Sequence, residues 1–122
     1  MMTEDFDLEF NGAYVRIKAG RNGHINLKNT QLWETLAEAC QRNNCRHVLS
    51  EVEIFSSETT YSEGYFVAAM IASAIPAIRI ACVVGGHISK DLTDFVALTA
   101  SNRGISIGFF SKRNEAIDWL GS

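Results

Sequence analysis

Cysteine, proline and net positive charge are all scarce here, and each shortage narrows what the chain can be. Its 122 residues hold three cysteines, Cys40, Cys45 and Cys82. An odd count leaves a thiol over from any pairing, so a reducing compartment is expected rather than a disulfide framework. Lys and Arg number 11 against 14 Asp and Glu, and no Lys/Arg cluster occurs. Nucleic acid, which needs a basic footprint, is therefore not an expected partner. The one proline, Pro76, joins Ser73 and Arg79 in breaking the most apolar stretch, Tyr65 to Gly86. A membrane span needs about 20 uninterrupted apolar residues, so this stretch reads as a buried helix and then a buried strand. Met1 to Asp7 is acidic and carries no apolar run, unlike a signal peptide. The expected location is cytoplasmic.

What the chain does have is ordinary globular composition and the length of one domain. Phe6, Leu8 and Phe10 alternate with Asp7 and Glu9, the period of a half-buried strand. Asn11-Gly12 then signals a hairpin into a strand carrying Val15 and Ile17, because both turn residues tolerate positive φ. Gly20 to Lys28 reads as a polar loop. Asn29 or Thr30 can cap a helix that runs to Asn43, with Leu32, Trp33, Leu36, Ala37 and Cys40 inward. His47 to Phe55 reads as a strand, and Ser62 to Ile75 as a helix apolar nearly all round, which has to be buried on more than one side or lie against a sheet and a partner. Arg79 to Val84 suits a central strand covered on both faces. Ser89 can cap a helix that closes at Arg103-Gly104, the glycine placed for a left-handed cap. Ile105 to Phe110 is the last strand, and Ser111 can cap a short helix with Ala116, Ile117, Trp119 and Leu120 inward. The order β-β-α-β-α-β-α-β-α predicts one α/β domain over residues 1–122, a single mixed sheet with an N-terminal hairpin and crossover helices.

That order resembles the STAS family, named for sulfate transporters and anti-anti-sigma factors, and within it the SpoIIAA-like branch. The most specific piece runs from Phe95 to Leu120, FVALTASNRGISIGFFSKRNEAIDWL. A helix ending in Asn102-Arg103-Gly104, a strand ending in Phe109-Phe110, then Glu115-Ala116 and Trp119-Leu120 is similar to the tail of bacterial SpoIIAA-like proteins. The resemblance implies a regulatory, protein-binding module without catalysis or cofactor. In anti-anti-sigma factors a serine at the start of the second helix, in an Asp-Ser-Ser-Gly turn, is phosphorylated by a partner kinase. Here the turn is Tyr61-Ser62-Glu63-Gly64, so aligned on Gly64 the serine position holds Glu63. A phosphoserine brings a charge near −2, whereas a glutamate brings −1 permanently. The switch is not expected to carry over.

Two segments are candidate partner or ligand sites. Ser56 to Gly64, with Ser57, Thr60, Tyr61, Ser62, Glu63 and Gly64, is a polar loop leaving a strand's carboxyl end for a helix N-terminus, where open α/β sheets bind ligands. Its bland reading is a capping box between Thr60 and Glu63. Gly85, Gly86 and His87 end the central strand and could cradle an anion, although the third glycine of a dinucleotide fingerprint is missing. Cys40, Cys45 and His47 fall short of the four ligands of structural zinc, so no metal is expected. Ser62, His87 and Asp91 could be gathered into a triad on paper, but no Gly-x-Ser-x-Gly elbow exists. The expectation is a non-enzymatic module that docks a protein partner. Its rival is a small apolar ligand or lipid walled by the helix from Phe66 to Ile75, as in lipid-carrier-like folds. An exposed apolar face on that helix would also serve as a homodimer surface.

Overall fold

Phe6–Phe10 (β1) and Val15–Ala19 (β2) pair antiparallel, Phe10 opposite Val15. The computed structural model describes residues 6–19, 30–52, 54–55, 57–85 and 88–122. The loop expected over 20–28, a cap at Asn29, and Gly86 and His87 lie outside the described residues. In the hairpin turn Gly12 has the positive φ, +95°, while Asn11 acts through its side chain. The Asn11 carboxamide oxygen accepts from the N–H groups of Ala13 and Tyr14, both at 3.0 Å. This is the Asx-turn chemistry that makes asparagine a turn former independently of its φ.

His47–Ser50 (β3), Arg79–Val83 (β4) and Ser106–Phe110 (β5) extend the sheet in the order β1-β2-β3-β4-β5, every pair after the hairpin being parallel. Thr30–Arg42 (α1), Tyr61–Ala74 (α2) and Lys90–Asn102 (α3) connect the parallel strands, and Arg113–Leu120 (α4) closes the chain. The α/β class, the single mixed sheet and the element order are those the residue pattern predicts. Crossovers of one hand that always step in the same direction lay their helices on one face. Accordingly Leu36, Val67, Ile71 and Val96 share a core with Val15, Ile17, Val48, Ile80 and Ile107. Ala116 and Leu120 of α4 cover the opposite face, against Leu49 and Ala81. Each large side chain removed from water contributes about 1.5–3 kcal/mol. No helix among the described residues is long and apolar enough to cross a membrane.

Small residues let α4 approach the sheet. A Cβ on Gly108 would stand 3.1 Å from Trp119 and 2.9 Å from Phe110. Trp119 itself, expected to face inward, is only half-buried. Its ring lies 5.4 Å from that of Phe110, and the Arg79 guanidinium sits 3.9 Å from a ring centroid while donating to the Trp119 carbonyl at 2.6 Å. Leu120, 2% exposed, is the buried anchor. Ser111 does not cap α4; the N-cap is Lys112, without a side-chain capping bond. Gly104 does adopt the left-handed conformation, φ +80°.

Candidate functional site

The segment between β3 and α2 is built by a strand that stops early. His47 to Phe55 reads as one strand by composition, yet β3 ends at Ser50. The last ladder-like bond runs from the Glu51 N–H to the Ile17 carbonyl at 2.9 Å. Glu51 then turns to the α4 face, where Arg16 Nε donates to it at 2.8 Å and Arg113 Nε approaches at 2.6 Å. A carboxylate held between two guanidinium groups fixes the chain direction at the sheet's carboxyl edge. Beyond it Val52, Ile54 and Phe55 plug the core as bends instead of continuing the ladder. Phe55 meets Phe109 edge-on, centroids 5.5 Å apart.

Thr60 and Glu63 form the capping box that their spacing predicts. The Glu63 N–H donates to the Thr60 hydroxyl at 3.1 Å, and the Thr60 N–H donates back to the Glu63 carboxylate at 2.9 Å. Both residues are therefore committed to starting α2, and the Glu63 charge favours the helix dipole. Ser57 and Ser62 are exposed. Tyr61 stands outside, its ring edge-on to Phe95 of α3 at 5.1 Å. Gly64 is buried, and a Cβ there would lie 2.9 Å from Val96 and 3.5 Å from Leu92. It is the contact that lets α2 and α3 lie close. Gly64→Val is expected to cost about 1–3 kcal/mol by overpacking this seam. Urea denaturation reads the effect, and an unchanged midpoint would show that Val96 yields freely.

The apolar character of α2 resolves into two faces. Gly64, Val67, Ala68 and Ile71 enter the core. Phe66 is 51% exposed, and with it Tyr61 (53%), Tyr65 (47%) and Leu98 of α3 (61%) stand outside. A helix packed on one side cannot bury an all-round apolar surface, so the surplus faces outward. The Tyr65 hydroxyl accepts from Arg103 Nη2 at 2.5 Å, with that guanidinium 5.1 Å from the ring centroid. Tyr65 and Arg103 join Thr99 and Asn102 around an open cleft of about 360 Å³. Tyr65, Leu98 and Arg103 were not singled out from sequence. The usable signal was Leu98, which falls off the stripe of Leu92, Phe95, Val96 and Thr99.

The structure thus places Tyr61 and Gly64 at the α2–α3 seam and Thr60 and Glu63 in the box that starts α2, while Gly85 is exposed two residues beyond β4. Ser62 and Asp91 are exposed on the first turns of their helices. Cys40 and Cys82 are buried and Cys45 half-buried. Among the described residues no group of three or more His, Cys, Asp or Glu side chains could hold a metal ion. No protein-family model matches the chain, and neither a curated protein nor a solved structure matches it.

Proposed function

We propose that this chain is a STAS-like, SpoIIAA-like domain acting as a non-enzymatic protein-binding module, with the outer face of α2 and α3 as its docking surface. One observation carries the reading: four large apolar side chains, Tyr61, Tyr65, Phe66 and Leu98, stand about half exposed or more on two adjacent helices. Aromatic and arginine side chains dominate binding energy at protein interfaces, and Arg103, hydrogen-bonded to the Tyr65 hydroxyl, adds the second type. Glu63, held in the capping box, supplies a fixed charge where a phosphorylatable serine would supply a switched one. Docking is then constitutive. Stoichiometric phosphate on Ser62, found by mass spectrometry of protein from its native cell, would overturn that part.

The second reading, a small ligand with an apolar part, rests on an open concavity of about 260 Å³ between α1 and the end of α2, where Ala37, Cys40, Ala74 and Ile75 stand beside Gln41, Asn44 and Arg46. One experiment separates the two. The tagged full chain is recovered from its native cell, and proteins and lipids that accompany it are identified together. A stoichiometric protein is expected, and Phe66→Ala should weaken its affinity about 30-fold, the equivalent of a 2 kcal/mol hot spot. The same substitution should leave the unfolding free energy within about 0.5 kcal/mol of wild type. A retained lipid with no accompanying protein would replace the docking reading by the ligand reading. Self-association weakened by Phe66→Ala would make the partner a second copy.

A further inference from the structure

Two of the three thiols share one helix terminus. Asn44 takes the left-handed conformation, φ +48°, and its N–H donates to the Gln41 carbonyl at 3.2 Å. The Cys45 N–H reaches back to the Cys40 carbonyl at 2.9 Å. These paired bonds are those of a Schellman cap, in which the residues at the ends of the longer bond frequently make a side-chain contact. Here those residues are Cys40 and Cys45.

The same bond limits their separation. Following the Cys40 carbonyl, the 2.9 Å hydrogen bond and the Cys45 N–Cα bond, the two Cα atoms are at most about 6.8 Å apart at full stretch. Any bend in that path shortens it. Disulfides span Cα distances of roughly 4.4–6.8 Å, so the hydrogen bond holds the two residues within disulfide reach. Both thiols are free. Cys45 is half-buried, and its sulfur makes weak contacts to the Ala13 and His47 carbonyls, each 3.6 Å. Cys40 is 3% exposed but lines the open concavity between α1 and α2. Cys82, by contrast, is enclosed in β4.

We propose that Cys40 and Cys45 form an oxidisable dithiol site that reacts with a small-molecule disulfide of the glutathione type and closes an intramolecular disulfide. The Cys45 thiolate attacks one sulfur of the small disulfide, whose S–S bond breaks and releases one thiolate, which takes up a proton. Cys40 then loses its proton and attacks the Cys45 sulfur, expelling the second small thiol. Two protein thiols are oxidised and one small disulfide is reduced to two thiols. Cys45, the more exposed, makes the first attack; burial pushes the Cys40 thiol up to about 11, which disfavours it as the first nucleophile, and its attack on the adjacent Cys45 sulfur is helped by proximity alone. The closed bond ties the last turn of α1 to a residue two ahead of β3 and alters the concavity wall.

The test is incubation of the folded, fully reduced chain with oxidised glutathione, followed by acid quench, alkylation and intact-mass analysis. The expected product has lost two hydrogen atoms, accepts one alkyl group, and yields a Cys40–Cys45 crosslinked peptide. Cys40→Ser should stop at a glutathione adduct on Cys45, and Cys82→Ala should still close the bond. A stable glutathione adduct on wild-type Cys45, three alkylated thiols, or a crosslink involving Cys82 would each overturn the proposal.

Discussion

Phe55→Ala is expected to lower stability by about 3–5 kcal/mol and to loosen the segment that feeds α2. Phe55 is 1% exposed and sits where the chain has left the sheet, so packing rather than a ladder fixes it. Truncation loses the transfer energy of the ring and opens a cavity beneath the loop. It also removes the edge-on pair with Phe109, worth about 0.5–1.5 kcal/mol beyond area. A domain of this size has about 5–15 kcal/mol of stability in all, so the loss is a large share of it. The loop should become protease-sensitive before the molecule unfolds globally, and Tyr61, six residues further on, should lose its fixed position against Phe95. Chemical denaturation with limited proteolysis checks both. A cost below about 1 kcal/mol would mean that Val52 and Ile54 hold the segment without Phe55.

That segment also shows where sequence was readable and where it was not. Period-two alternation in β1 signals a half-buried strand and the apolar run of β4 a strand covered on both faces, and both elements stand where the pattern puts them, β1 at the sheet's edge and β4 within it. The capping box at Thr60 and the left-handed Gly104 were equally legible, because caps depend on local chemistry. The end of β3 was not. Val52, Ile54 and Phe55 have strand composition, but the chain is diverted at Glu51 by two arginines, one of them 62 residues further along the sequence. No local rule anticipates a partner so distant. The side of α2 that carries Phe66 was undecided for a related reason: apolar composition says that burial is favourable, not that a neighbour within the chain exists to supply it. The surplus on α2 is thus the place where the sequence left two outcomes open and the fold selects the outward-facing one. Trp119 repeats the lesson, since its ring is satisfied by Arg79 stacking at half-burial.

Stability should fall steeply above about pH 9, and the buried thiols should account for much of the fall. Burial pushes Cys82 up to about 12 and Cys40 up to about 11 from an ordinary value of 9.0. In the unfolded chain both thiols ionise near 9, while in the folded chain both keep their protons. Above that pH the folded state binds more protons than the unfolded, so unfolding becomes easier as pH rises. The thiol contribution is whole below about pH 9 and is lost as pH climbs through 9 toward 12. Each thiol adds a slope of about 1.4 kcal/mol per pH unit across its own window. Cys40 lines an open concavity, so water softens its share. Cys82, enclosed on both faces of the sheet, should follow the full slope and lose on the order of 4 kcal/mol by pH 12. Tyrosines and lysines also titrate in this range, so the informative quantity is a difference in slope. Cys82→Ala should make the curve of stability against pH shallower between 9.5 and 11 by about 1.4 kcal/mol per unit, whatever its stability at neutral pH. Urea titrations in excess reductant provide the curves. Parallel lines for wild type and Cys82→Ala would mean that the thiol ionises in place and that the sheet beneath α2 admits water.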